Sequence, residues 1–208
     1  MNAPLDDVDY VCCLPGGSGP LDLAAVFGRR PDRFEVDIGC GKGRFLLSRA
    51  AAHPDTAFLG VDRNRGRLEK VARRAKRAGL RNLRLLAAEA AYAVEVLMPR
   101  AAVNTVYVFF PDPWPKRRHH RRRLFAPAFL EALDAALAEG GRVHVATDHL
   151  DYFNGIRALL AADRRFRECP PFIPEENERT DFEVIFLAKQ APIGRCTFEK
   201  KAGGTALL

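Results

Sequence analysis

Five short runs, FEVDIG (Phe34–Gly39), AFLGVD (Ala57–Asp62), LRLLAA (Leu83–Ala88), TVYVFF (Thr105–Phe110) and RVHVAT (Arg142–Thr147), are largely apolar along their whole length. Each leads into a stretch with helical spacing. A strand with one wet face would alternate polar and apolar residues. A run that is apolar throughout needs cover on both faces, which a parallel sheet obtains from the helices of its crossovers. The predicted helices are RFLLSRAAA, RLEKVARRAKRAG, a weaker one over Ala90–Leu97, APAFLEALDAALAEGG closed by its two glycines, and LDYFNGIRALLAA. In the second, Leu68, Val71, Ala72 and Ala75 share a face and Gly79 is the expected stop. From about Arg164 the pattern changes. FRECPPF and IGRCTFEK read as a terminal antiparallel pair, while DFEVIFLAKQ fits a helix or a strand. The expected class is α/β, doubly wound.

A length of 208 residues suits one domain, 1–208, with residues 1–21 loop-like around LPGGSGP. No apolar run approaches the ~20 residues of a membrane helix. The opening MNAPLDDVDY lacks the basic start and apolar middle of an export signal, so a cytoplasmic protein with no membrane partner is expected. Cys12, Cys13, Cys40, Cys169 and Cys196 have neither CxxC spacing nor paired histidines nearby. They read as reduced, mostly buried thiols, with no metal expected. The net charge of +7 is concentrated in Arg63–Arg77 and Lys116–Arg123, which favours a polyanionic partner.

Ligands of open α/β sheets sit beyond the carboxyl ends of the strands. The first such end here is VDIGCGKGRF, with Gly39, Gly41 and Gly43. The spacing is GxGxG, because Arg44 stands where the dinucleotide fingerprint needs its third glycine. Asp37, just before the glycines, would repel a pyrophosphate and suits an amine. Asp62 ends the second run, where an acid can take both hydroxyls of a ribose. Glu89 follows the third, in reach of an adenine edge. An amine, a ribose and an adenine without phosphate describe S-adenosyl-L-methionine; the plainer alternative is a set of turn glycines and capping acids.

The fourth run ends in FFPDPWPKRRHHRRRL, so Asp112 and Trp114 belong to the same edge. Pro111 and Pro113 restrict the backbone around Asp112 and preorganise one carboxylate. Trp114 either stacks a base or packs under the loop. Lys116, Arg117, Arg118, Arg121, Arg122 and Arg123 offer phosphate contacts beside it. His119 and His120 read as solvated, and Tyr107 and Phe109 as core.

DIGCGKGRF, FFPDPWPKRRHHRRRL, ATD (Ala146–Asp148) and TDFE (Thr180–Glu183) resemble the bacterial tRNA (guanine-N7-)-methyltransferases, over about Asp22 to Lys200. The resemblance implies a class I, Rossmann-like methyltransferase with a mostly parallel seven-stranded sheet, acting on N7 of a guanine in the tRNA variable loop, as a monomer or homodimer. It assigns the donor site to Asp37, Asp62, Glu89 and Asp112 with the glycine turn, catalysis also to Asp112, and substrate binding to Lys116, Asp148, Thr180 and Glu183. It also makes DFEVIFLAKQ a short helix and IGRCTFEK the last strand. The family usually has Glu at position 37 and Asp at position 89, and some members carry a longer basic N-terminal tail. The donor's affinity and the grip on tRNA are where those differences fall. Two rivals remain open at this level. One is an amino-methyltransferase, since PDPW is related in shape to the (D/N)PP(Y/W) clamp; the other is an RNA-binding module without turnover.

Overall fold

The computed structural model describes residues 10–12 and 19–202. One sheet contains all its strands: β1 (Val11–Cys12), β2 (Phe34–Ile38), β3 (Ala57–Asp62), β4 (Leu83–Ala87), β5 (Val103–Phe109), β6 (Leu137–Thr147), β7 (Phe166–Cys169) and β8 (Gly194–Lys200). Their spatial order is β1-β4-β3-β2-β5-β6-β8-β7. The pairs from β1 to β6 are parallel, and β8 is antiparallel to both β6 and β7. The seven expected strands are all present. β1 adds a two-residue edge inside the stretch expected to be loop-like.

Helices α1 (Leu23–Phe27), α2 (Arg44–Ala52), α3 (Arg65–Arg77), α4 (Ala90–Tyr92, continuing as a π-helical turn over Ala93–Leu97), α5 (Pro127–Ala136), α6 (Leu150–Ala162) and α7 (Asp181–Ala188) complete the fold. Side chains alternate across the strands, so the core is split in two by the sheet. On one face Val36, Ile38, Val106 and Val108 meet Leu97 and, from α5 and α6, Phe129, Leu133, Ile156 and Leu160. On the other, Phe58, Leu83 and Leu85 meet Leu46, Leu68, Val71 and Ala75 from α2 and α3, and Tyr107 and Phe109 meet Phe45. Each fully buried Leu or Phe is worth about 1.5–3 kcal/mol. Ala72, expected on the buried face of α3, is only partly covered.

One helix ends earlier than its sequence suggests. α5 stops at Ala136, and Gly140 and Gly141 lie inside β6 instead of closing the helix. Val103 pairs with Leu137 but Thr105 with Arg142, so β6 bulges between them. Gly140 has φ +70°, and a Cβ on Gly141 would stand 2.9 Å from the Val103 carbonyl oxygen. The glycines accommodate the bulge that the helical spacing of the segment concealed.

The thiols divide unevenly. Cys40, Cys169 and Cys196 carry no disulfide, but only Cys196 is buried, with its pKa pushed up to about 12 by desolvation. The other two are half-covered, which corrects the expectation of mostly buried cysteines. The side chain of Cys12 and all of Cys13 lie outside the described residues. Among the described residues no helix is long and apolar enough to cross a membrane.

Candidate active site at the carboxyl edge

The order of the sheet reverses at β2, which pairs β3 on one side and β5 on the other. A crevice therefore opens beyond the carboxyl ends of β2 and β5. The glycine turn closes the first and the Pro-Asp-Pro loop the second. Gly43 shows why glycine is required there: φ is +70° and a Cβ would come within 2.6 Å of Val71 Cγ1, so α3 packs directly on the turn. In front of Gly39 and Gly41 there is room, with nothing within 4 Å of a Cβ on the former and only the Gly39 carbonyl oxygen, 3.7 Å away, on the latter. A ligand can thus approach the backbone of the turn closely.

Asp37 is buried and its carboxylate has no hydrogen-bond partner among the described residues. Desolvation, and next the charge of Asp62, raise its pKa to about 7. Such a carboxyl is held near neutrality and gains its charge readily when a cation arrives. Asp62, the last residue of β3, accepts the Asn64 N–H at 2.8 Å on Oδ1, and the Gly41 N–H at 3.1 Å and Arg67 Nη1 at 3.0 Å on Oδ2. It therefore ties the glycine turn to the second strand end. The half-exposed Arg67 covers the carboxylate and would have to swing out before a diol could use both oxygens. Glu89 caps α4, accepting the Tyr92 N–H at 2.9 Å, and stays exposed beyond β4.

On the other side of the crevice, Asp112 is exposed between its two prolines. The loop is bracketed by Phe110 at φ +53° and Trp114 at φ +42°, both unusual for residues of that bulk. Phe110 is pinned by its N–H to the Ala146 carbonyl at 2.7 Å. Arg123 donates to the Pro113 carbonyl at 2.8 Å, with its guanidinium 4.6 Å from the Tyr152 ring centre. The Arg122 guanidinium lies 4.9 Å from the centre of the Trp114 ring and His119 meets that ring edge-on. Arg122 and Arg123 thus brace the loop, Arg122 while remaining exposed, and Trp114 is half-buried against Arg122 and His119. Lys116, Arg117, Arg118 and Arg121 are exposed, the arginines on a 3₁₀ turn over Arg117–Arg122.

Asp148 follows β6 and is half-buried. Thr180 caps α7 by accepting the Glu183 N–H at 3.0 Å. Glu183 is buried and ion-paired with Arg195, whose backbone lies opposite Ala146 on β8. Phe182 and Phe186 lie 6.0 and 5.4 Å from Phe110, ring centre to ring centre, which puts α7 beside the Pro-Asp-Pro loop. DFEVIFLAKQ is a helix.

Sequence reasoning missed three features here. Arg195 answers the charge of Glu183, and an arginine in an apolar strand was the available signal. Phe182 is 57% exposed at the rim, within the same Thr-x-x-Glu turn. A buried group of Glu35, Arg49, Tyr107 and Glu178 lies behind the site; Glu35 inside FEVDIG was its trace. A cavity of about 530 Å³ lies at the opposite ends of the strands, against Asp22, Arg30, Arg100 and Asn104. The carboxyl edge carries the converging acids and the open glycine turn, so the site is placed there.

Residues 32–193 match the family model described as "Putative methyltransferase". The chain is 43% identical over 176 residues to a tRNA (guanine-N(7)-)-methyltransferase of Halorhodospira halophila, covering 82% of this chain and 76% of that protein. It belongs to the tRNA (guanine-N(7)-)-methyltransferase family. Identity to the enzyme of Nitrosococcus oceani is 40% over 152 residues; the match covers 73% of this chain and 64% of that protein's length. Among solved structures, the 16S rRNA methyltransferase KamB superposes with a TM-score of 0.65 at 20% identity, covering 88% of this chain and 95% of that one. That likeness shows the Rossmann-like fold that this tRNA (guanine-N(7)-)-methyltransferase family member shares with it.

Proposed function

We propose that the chain transfers the methyl group of S-adenosylmethionine to N7 of a guanine in the variable loop of tRNA, as a single methyltransferase domain working in the cytoplasm. The observation that carries this reading is the partnerless, buried Asp37 beside open glycine backbone at the switch point. An ammonium group offers Asp37 the counter-charge it lacks, Asp62 suits the ribose, and Glu89 lies where an adenine edge would fall. The donor supplies, when bound, an electrophilic sulfonium methyl, and guanine N7 has an in-plane lone pair that takes it with no proton removed first, leaving S-adenosylhomocysteine and 7-methylguanosine.

Asp112 meets the need created by that transfer. Positive charge passes to the imidazole ring of the base, and a fixed carboxylate stabilises it as it develops. The same carboxylate can accept from guanine N1–H and the exocyclic amine, which holds N7 in line. Lys116, Arg117, Arg118 and Arg121 face solvent beside it and bind phosphates without base readout. Asp148, Thr180 and Glu183 close the far side. Phe182, 57% exposed at this rim, offers a base a flat surface in addition to Trp114, one face of which carries Arg122.

The test is to incubate the protein with unmodified tRNA transcript and methyl-labelled donor, then digest and identify the labelled nucleoside. Label in 7-methylguanosine from the variable loop is expected. Label on an exocyclic amine would favour an amino-methyltransferase, and no label despite donor binding a non-catalytic RNA module.

A further inference from the structure

We infer that Arg49 is a positioning residue: it braces the segment that carries Thr180 and Glu183 against helix α2, so that the helix rising from the glycine turn also fixes the substrate side of the site. The inference rests on the methyltransferase reading above. Between Pro171 and Thr180 the chain has only a three-residue 3₁₀ turn, Glu176–Glu178, and only Pro174 and Glu178 are buried. Phe172 anchors the start of the segment, its N–H donating to Thr197 Oγ1 at 2.9 Å and its ring packed against Phe45, Tyr107 and Phe109. Beyond Phe172 little apolar surface is covered, and the contacts that hold Asn177 and Glu178 are polar and reach from α2. Arg49 Nη1 donates to Glu178 Oε1 at 3.1 Å, and the Ser48 hydroxyl donates to the Asn177 carbonyl at 2.8 Å. The Arg49 guanidinium also lies 5.6 Å from the centre of the Phe172 ring.

The brace is itself anchored in the sheet. Arg49 Nη2 donates to Tyr107 Oη at 3.3 Å, and that hydroxyl donates to Glu35 Oε2 at 2.7 Å. Glu35, Glu178 and Tyr107 are each less than 5% exposed. Arg33 takes the other oxygen of Glu35 at 2.7 Å, so two guanidiniums face two carboxylates and the buried charge is balanced. Glu178 stands two residues before Thr180. The planar fork of Arg49 holds Glu178 and Tyr107 on two separate nitrogens in fixed directions, a span that the single nitrogen of an ammonium does not reproduce.

The test uses the full chain with Arg49→Met, Arg49→Lys, Ser48→Ala and Glu178→Gln, each confirmed folded by circular dichroism and thermal melting. Donor Kd is measured by calorimetry, and kcat and KM for tRNA by methyl transfer. Arg49→Met is expected to lower kcat/KM for tRNA by about 10²-fold, the scale of an ångström of misplacement, while donor Kd moves less than about threefold. Arg49→Lys should recover part of that loss, and Ser48→Ala should shift the same parameter by a few fold. A folded Arg49→Met protein with native kcat/KM for tRNA, or with donor and tRNA affinity lost equally, overturns the brace. Should Arg49→Met not fold, Glu178→Gln, which keeps shape and removes charge, is read by the same criteria. If the native chain itself methylates no guanine, the parent reading fails and the brace is judged by hydrogen exchange over residues 171–183. Protection lost there in whichever of Arg49→Met and Glu178→Gln folds supports it, and unchanged protection overturns it.

Discussion

Replacing Asp37 by Asn should make the ligand-free protein more stable and a worse donor binder. The pKa of Asp37 is raised from 3.8 to about 7, first by desolvation and then by Asp62. Between about pH 4 and 7 the native chain therefore keeps a proton that the unfolded chain has released. By linkage, stability falls as pH rises through that window and levels off above it. The displacement is worth about 4 kcal/mol at about 1.4 kcal/mol per tenfold in acidity, an upper figure because water reaching the crevice would reduce it. Asn is neutral at every pH, so Asp37→Asn should melt several degrees above the native chain at pH 7.5, and the gain should vanish towards pH 4. Donor binding should run the other way. With a pKa near 7, about 3% of Asp37 is ionised at pH 5.5 and about three quarters at pH 7.5, so native affinity for the cationic donor should rise about 25-fold across that range. In Asp37→Asn the affinity should be weak and flat. Scanning calorimetry of the ligand-free proteins and titration calorimetry with S-adenosylmethionine check both halves. A variant that melts no higher at pH 7.5, or a native affinity that does not change between pH 5.5 and 7.5, would refute the account of Asp37 as a buried, unpartnered counter-ion.

Other substitutions separate the remaining roles. Asp112→Asn should lower kcat by about 10²-fold or more with donor Kd unchanged, read by single-turnover methyl transfer. Gly43→Ala forces a Cβ onto Val71 at positive φ and should cost about 1–3 kcal/mol, seen as a lower Tm. Removing exposed Arg118 should weaken tRNA binding at all sequences and reduce the slope of log K against log salt by about one, measured by filter binding. Phe182→Ala should raise KM for tRNA several-fold and Phe182→Tyr should not, whereas Trp114→Ala should act chiefly on Tm, because its ring packs against Arg122 and His119.

The parallel core was legible because its signal is local. An apolar run followed by an amphipathic helix identifies itself within twenty residues, and β2, β3 and β4 begin where their sequences predict. The bulge in β6 was not legible, because Leu137–Gly141 continues the helical spacing of α5 and only pairing with Val103 shows that it has become strand. The acids proposed for the donor side could be picked out from position alone, since each stands within two residues of a strand end. Their partners were not, because Arg67 on Asp62 and Arg195 on Glu183 are contacts of the folded chain. The same holds for Arg122 and Arg123: in sequence they are part of a uniform basic block, and only the fold shows that these two also brace the loop, through Trp114 and the Pro113 carbonyl. The ring of Trp114 was legible as an aromatic at the active edge, but whether a face remains open depends on where Arg122 lies.

The charges of the carboxyl edge are divided by position. The chain is basic overall, yet Asp37, Asp62, Glu89, Asp112 and Asp148 gather at the strand ends, with Arg67 paired to Asp62 and Glu183 paired to Arg195, while Lys116, Arg117, Arg118 and Arg121 are exposed on the loop beside them. A polyanion is drawn to the rim by the outer charges over about a Debye length, roughly 8–10 Å in physiological salt. On the proposed reading the acids disfavour its phosphates, so the part of an RNA expected to enter is a base and not its backbone. The same acids favour a cationic donor and a base that becomes cationic as it reacts. A phosphate-bearing cofactor would need the reverse arrangement, with backbone N–H groups and no carboxylate at the turn. Asp37 before Gly39 and the Gly41 N–H already committed to Asp62 exclude that arrangement and leave a site suited to moving a positive charge from one ligand to another.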